Sequence, residues 1–401
     1  MKRRRFLPVL LGTDLNAYGM ARAFYEEYKI KSVVVGEFHL LPTRYSAIID
    51  ARIFESFGTQ SVFLAALSML YKEYHEDFED LLLVACGDDY VRLVVENRSF
   101  LEERFIVPCV GHEVFDKLST KEGFYKACDQ FGLRYPETCV ITPTHRDVEL
   151  PFEFPVVLKA SNSMKYARVD FEGKEKVYFV NTRRELDLIV EKVYRSRYAE
   201  NLLVQRMVAG DDDNMRVLNC YVGKDGKVKL MCLGQVLIED KDKATVGNYL
   251  AIMNDYNPAL CEKIKIFLET IGYTGFANFD LKFDQTDGEF KFFEINLRQG
   301  RSSFFVTGSG FNLAKYLVKD RILNEELDFE IAKAEHVWFG IPKKLAFKYI
   351  GAQNKQKVMQ LVREKRFCNT LSYLRDINPL RWAQSLRIYG NYWLRQWEGR
   401  K

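Results

Sequence analysis

The sequence is poor in the groups that most enzymes use as nucleophiles, bases or metal ligands. Its 401 residues hold five histidines, His39, His75, His112, His145 and His336, dispersed and without the HExxH spacing of a zinc hydrolase. Eight cysteines (Cys86, Cys109, Cys128, Cys139, Cys220, Cys232, Cys261 and Cys368) form no CxxC pair. That scatter argues against a zinc ribbon and against the disulfide framework of small secreted domains, and most of these thiols sit in apolar stretches as small core residues. No uninterrupted apolar run reaches ~18 residues, so no membrane-crossing helix is expected. Met1–Phe6 is basic, yet the apolar run behind it is too short for a secretory leader, and a cytoplasmic protein is expected.

Charge is unevenly spread. Residues 331–401 carry 15 Lys and Arg against 4 Asp and Glu, a net +11, so the remaining chain is −7 within a total of +4. A basic region on an acidic body points to an anionic partner surface. The stretch Pro379 to Trp397 predicts a helix with Leu386, Tyr389, Trp393 and Trp397 along one side, flanked by Arg381, Arg387 and Arg395. Two readings stand: a stripe that braces the core, or an interfacial surface for peripheral membrane contact. No nucleic-acid motif accompanies the basic residues, so no nucleic-acid partner is expected.

The predicted elements fall into blocks. Phe6–Leu11, Ser32–Gly36 and Asp80–Cys86 read as buried strands, alternating with helical patterns over Met20–Tyr28, Ser61–Tyr74 and Val91–Glu102. Such alternation predicts an α/β domain with a parallel sheet over residues 1–112, whose ligands collect at the carboxyl ends of the strands. Asp14, Asn16 and Asp88 lie in those loops, as substrate contacts or as ordinary turn residues. From 113 onward helices (Asp116–Phe131, Thr182–Arg197, Pro258–Ile271) mix with short strands and hairpins, including Met215–Val222 with Val228–Ile238 and Ala277–Phe283 with Phe290–Ile295.

The last of these hairpins carries the most chemistry. Period two within a strand puts Glu294 and Asn296 on one face, and Asp280 on the partner strand can oppose them. Two carboxylates and an amide are a hard oxygen set suited to Mg²⁺ held against phosphates, though a solvated hairpin face has the same composition. Lys159 closes the apolar strand Phe154–Lys159, either as a solvated strand end or as a point charge for a nucleotide phosphate. Ser161–Lys165 would be the loop that covers the phosphates, and Lys117 is a further cation on the helix after His112.

Taken in order, Lys117, Lys159, Gln205-Arg206-Met207-Val208 with Asp212, then Asp280, Glu294 and Asn296, resemble the ATP-grasp ligases. The resemblance spans about residues 1–325. It implies a Rossmann-like pre-ATP-grasp domain (1–112), an ATP-grasp domain in two subdomains (113–200 and 201–325) and a basic aromatic-rich α-helical extension (326–401). It further implies ATP and Mg²⁺, or Mn²⁺, as cofactors. Lys117 and Lys159 would meet phosphates, Gln205 to Val208 the adenine, and Asp212 the ribose, with Asp211 and Asp213 as rivals. Asp280, Glu294 and Asn296 would hold the metal, and Arg298 and Arg301 would face the phosphates or an acyl-phosphate. The pattern Glu-Ile-Asn-Leu-Arg-Gln-Gly-Arg-Ser-Ser is most similar to the branch that joins D-aspartate to the lysine of a peptidoglycan precursor, a UDP-linked one included. A ligase for free amino acids or another metabolite, and a non-catalytic nucleotide-binding module, are the alternatives.

Overall fold

The computed structural model describes residues 5–241, 247–376 and 378–398, with side chains described to residue 394. Three sheets organise it. In the first domain Phe6–Leu11, Ser32–Gly36, Ile49–Ile53 and Asp80–Ala85 pair in parallel, with Phe6–Leu11 between Ser32–Gly36 and Asp80–Ala85. Their near-continuous apolar character follows from burial on both faces. Gly12, at φ +128°, turns the chain out of the first strand. Asp14 then caps the helix Leu15–Tyr28, its carboxylate accepting the Asn16 and Ala17 N–H groups at 3.1 Å.

A second sheet of four short strands, Thr138–Ile141, Val156–Ala160, Val177–Val180 and Leu202–Arg206, is antiparallel and is covered by the helix Arg183–Arg195. It forms a small lobe with its own apolar core. The central sheet has eight strands, running from Glu289–Asn296 through Gly275–Asp284, Met215–Val222 and Val228–Glu239 to Tyr249–Asp255. The region after 325, expected as a helical extension, carries the helices Lys343–Tyr349, Ala352–Arg363 and Pro379–Glu398 and also contributes strands to this same sheet: Val337–Phe339 pairs with Tyr249–Asp255 and Phe367–Asn369 pairs with Val337–Phe339. Trp338 is buried among first-domain and central-sheet residues, so this segment is part of the body. The helix expected over Asp116–Phe131 is two, His112–Leu118 and Lys121–Phe131, because Thr120 caps the second by accepting the Gly123 N–H at 3.1 Å.

Candidate active site

The site is built on the hairpin Gly275–Asp284 and Glu289–Asn296. Its register sets Asp280 directly opposite Glu294 and Asn278 opposite Asn296. A bulge follows, since Leu281 pairs with Phe292 and leaves Phe293 over. Bulges re-aim side chains beside functional sites. Here the Phe293 carbonyl accepts the Tyr125 hydroxyl at 2.9 Å, and its ring lies 4.6 Å from the Lys159 ammonium. Asp280 accepts hydrogen bonds from the Tyr249 hydroxyl (2.8 Å) and the Asn296 amide (3.1 Å). Glu294 is ion-paired with Lys121 at 2.9 Å.

Electrostatics separate the two carboxylates. The Lys121 ammonium holds Glu294 far below the usual carboxylate range, with Lys176 and Lys159 adding to the effect. Burial, then the Glu294 charge, pushes Asp280 well above that range. Among the described residues Asp280 forms no direct ion pair, and the Lys176 and Arg298 charges offset only part of its rise. A divalent ion held by Asp280, Glu294 and Asn296 would fit that donor set. Among the described residues no group of three or more His, Cys, Asp or Glu side chains converges to make an all-carboxylate or imidazole site.

Around this face lies a cavity of about 620 Å³ between the small lobe and the central sheet. Val157, Phe179, Met207, Val208, Met215 and Phe293 give it an apolar wall; Lys159, Lys176, Lys282, Glu239, Asp280 and Glu294 give it a charged end. Burial pushes the Lys159 ammonium down to about 8, with Lys121 and Lys176 repelling it further. A second cavity, of about 160 Å³, shares Lys121, Ser163, Lys176 and Glu294 with the first and adds Asp88, Asn296 and Arg298. A third, of about 600 Å³, shares Asp88 and extends along the first domain past Glu37, Asp89 and Tyr90 to Arg168. The order is an amphipathic chamber, a small charged junction, and an open groove.

The structure brings Lys159, Met207, Val208, Asp280, Glu294, Asn296 and Arg298 together around these cavities. Other expected residues stand elsewhere. Gln205 points away from the chamber, its amide donating to the Tyr125 hydroxyl (3.0 Å) and Thr138 (2.8 Å), and it is buried. Arg206 reaches Asp284 at 3.4 Å and Glu137 at 3.8 Å. The strand ends at Arg206, so the alternation that would pair Gln205 with Met207 on one face stops there. Asp212 accepts the Glu239 N–H at 3.0 Å and the Lys241 ammonium at 2.6 Å, and Glu239 stands on the cavity wall in its place. Asp211 and Asp213 belong to a 3-10 turn, Asp211 capping it and Asp213 accepting from Asn354 at 2.8 Å. Lys117 is exposed on its helix and lines none of the three cavities, whereas Lys121, one turn later, is at their junction. The Ser161–Lys165 loop is in fact a helical turn, Ser163–Ala167, because Asn162 caps it at the Lys165 N–H.

Lys121, Lys176, Glu239 and Tyr249 carried no motif in the sequence. Tyr249 opens the strand Tyr249–Asp255, which two strands separate from the hairpin, and only the fold reveals that its hydroxyl reaches Asp280.

The first domain meets this site through arginines. Arg298 donates to Asp88 at 2.8 Å and to the Asn296 amide oxygen at 3.4 Å. Asp14 is buried, which raises its carboxyl; the nearby Arg301 and Arg298 charges partly offset that rise. Asn16 is a structural latch, its amide donating at 2.9 Å to both the Cys86 and Gln299 carbonyls. Arg301 lines none of the three cavities and donates instead to the Tyr392 hydroxyl of the last helix at 3.2 Å.

No protein-family profile matches the chain. Among solved structures it resembles the ADP complex of N5-carboxyaminoimidazole ribonucleotide synthetase, with a TM-score of 0.59, 14% identity and coverage of 84% of this chain and 82% of that one. It also resembles the phosphoribosylamine–glycine ligase of Thermotoga maritima (TM-score 0.56, 16% identity, 82% and 78% covered) and the L-amino acid ligase of Bacillus licheniformis (0.51, 15%, 80% and 71%). The fold is the ATP-grasp fold of these proteins and, with the curated relative that follows, defines an ATP-dependent carboxylate–amine ligase. A curated relative narrows this: the D-aspartate ligase of Enterococcus faecium is 42% identical over 404 residues, covering 98% of this chain and 96% of that protein. The chain belongs to the D-aspartate ligase family.

Proposed function

We propose that the protein joins the carboxylate of D-aspartate to an amine, the lysine side chain of a UDP-linked peptidoglycan precursor, through an acyl-phosphate, releasing ADP and phosphate. The observation that carries this reading is the arrangement of three cavities in series around Glu294 and Asp88, together with 42% identity to a D-aspartate ligase.

In this reading the large chamber takes ATP. Met207 and Val208 pack on the adenine, with Gln205 and Arg206 fixing the end of the strand that leads into them. Glu239 faces the ribose and Asp212 holds its backbone. Lys159, Lys121 and Lys176 direct the phosphates toward the junction, and Lys117 adds charge from the exposed helix end. Asp280, Glu294 and Asn296 would hold Mg²⁺, which when bound neutralises phosphate oxygens.

At the junction Arg298, ordered by Asp88, binds the amino acid, and Arg301 adds positive charge from behind it. A carboxylate oxygen attacks the γ-phosphorus, and the bond to the ADP oxygen breaks. The acceptor nitrogen, arriving along the open groove, then attacks the acyl carbon; phosphate leaves and the nitrogen gives up a proton. Positioning and charge stabilisation suffice for both steps, without a protein nucleophile. Among the described residues no helix is long and apolar enough to cross a membrane. The reading assigns the enzyme to the cytoplasm, with peripheral contact to the membrane's inner face.

The test is ADP release over a panel of D- and L-amino acids, each with and without a UDP-linked lysine-containing precursor. Turnover requiring D-aspartate and the bulky acceptor together is expected. Equal turnover with small free amino acids as acceptor would favour a dipeptide-type ligase instead.

A further inference from the structure

The helix Pro379–Glu398 has two faces of unexpected character. Its inward face carries polar groups: Arg381 and Gln384 are buried, and Arg381 stacks 4.3 Å over the Tyr18 ring and donates to the Arg44 carbonyl at 3.2 Å. Tyr389 donates to Asn369 at 2.7 Å. The outward face is apolar. Trp382, Leu386 and Trp393, at spacings of four and seven, and Leu394 beside them are 58%, 49%, 39% and 70% exposed. The expected stripe is thus split: Tyr389 braces the core, Leu386 and Trp393 face outward, and the side chains of Arg395 and Trp397 lie outside the described residues. A surface helix normally turns its apolar stripe to the core; this one packs Ile388, Tyr389 and Tyr392 inward beside its polar contacts and still presents tryptophan and leucine to the outside.

A cation borders that face: the Lys348 ammonium sits 4.6 Å over the Trp393 ring, and Lys344, one turn earlier on the helix Lys343–Tyr349, is exposed as well, whereas the Lys343 ammonium lies over the Phe367 ring. The region 331–401 is +11 while the rest of the chain is −7. A second copy seated on this face would oppose like charge with like charge. A nucleic acid would meet the lysines but offer no apolar phase to Leu386 and Leu394. Only a surface with anionic headgroups over hydrocarbon satisfies both features.

We propose that the outward face of Pro379–Glu398, with Lys348 and its exposed neighbour Lys344, docks on an anionic lipid membrane. This deepens the peripheral-membrane part of the function proposed above and is independent of the chemistry at the active site. Docking would leave the three cavities on a chain held at the lipid surface by its last helix.

The experiment is flotation of the full chain with phosphatidylglycerol-containing vesicles or with pure phosphatidylcholine vesicles, without nucleotide or substrates. ADP release is measured separately in solution. The unmodified chain should bind the anionic vesicles at low salt and weaken about tenfold or more at high salt or on phosphatidylcholine. The triple substitution Trp382→Ser, Leu386→Ser, Trp393→Ser should weaken binding about tenfold or more. Lys344→Glu with Lys348→Glu should do the same through charge, and thermal unfolding reports whether each variant is folded. ADP release in solution should stay unchanged in both. Failure of the unmodified chain to float at low salt, or equal flotation of both variants, would overturn the proposal. So would self-association or DNA binding that the triple substitution abolishes while vesicle binding persists. Flotation without turnover would fault the ligase assignment alone.

Discussion

Replacing Asp280 by asparagine is expected to stabilise the fold while abolishing turnover. The Asp280 carboxyl is half-buried on the wall of the large cavity, stands opposite Glu294, and among the described residues has no ion-pair partner. Burial and the Glu294 charge both raise its pKa. A carboxyl raised in the folded state binds its proton more tightly there than in the unfolded chain. Stability is therefore greatest below the unfolded value near 3.8 and declines as pH rises toward the folded one. Each unit of rise costs the ionised folded form about 1.4 kcal/mol. An amide carries no such penalty, and the Tyr249 hydroxyl, at 2.8 Å from the present carboxylate, can still donate to its oxygen. After allowance for the rearranged bond to Asn296, a gain of about 1–3 kcal/mol near pH 8 is expected, or about 2–6 °C in unfolding temperature. Turnover should fall by about 10²-fold or more, since a charged group at the phosphate end is gone. Thermal unfolding of both proteins from about pH 5 to about pH 8, beside an ADP-release assay, tests this. The gap should narrow toward the acid end. A variant less stable than the parent at every pH, or one keeping a tenth of its activity, would refute the argument.

Further substitutions probe the same site. Glu294→Gln and Asn296→Ala should each abolish ADP release with near-normal unfolding, and near-normal activity in either would move the metal site elsewhere. Lys159→Ala should raise the ATP requirement and lower turnover far more than Lys165→Ala, because Lys165 spends its charge on an exposed pair with Glu200 at 2.5 Å. With its ammonium pushed down to about 8 in the free enzyme, Lys159 should lose phosphate affinity as pH rises through that value. The KM for ATP should then climb, and Lys159→Arg should flatten the climb, while a flat profile in the parent would exclude Lys159 from phosphate binding. Asn16→Ala removes the side-chain donor of the Cys86 carbonyl and leaves the Gln299 carbonyl to Arg298 at 3.1 Å, and should cost about 1–2 kcal/mol of stability, measured by denaturant unfolding; an unchanged midpoint would mean that the latch is dispensable.

Much of this architecture is legible in the residues because the decisive elements are local. The hairpin around Asp287-Gly288 announces its turn, and period two alone puts Glu294 and Asn296 on one face. The parallel strands of the first domain stand out as short apolar runs between helical patterns. What is hidden depends on contacts distant in sequence. Lys121 is one lysine among many until the fold sets it beside Glu294, 173 positions on, at 2.9 Å. Strands as short as Val337–Phe339 are too brief to show alternation, so the C-terminal region reads as an appendage although it completes the central sheet. Gln205 is expected at the adenine by resemblance, but its strand ends at Arg206, its amide is held by Tyr125 and Thr138, and of this stretch only Met207 and Val208 line the chamber.

The account turns on a carboxylate that is activated by phosphate and then captured by an amine. The most direct measurement supplies ATP, D-aspartate carrying oxygen-18 in its carboxylates, and the UDP-linked lysine-containing precursor, and reads phosphate, nucleotide and product by mass spectrometry. The account predicts ADP as the only nucleotide product, one oxygen-18 atom in each phosphate released, and a product whose mass is that of the two substrates less one labelled water. Formation of AMP, or product accompanied by unlabelled phosphate, would contradict it.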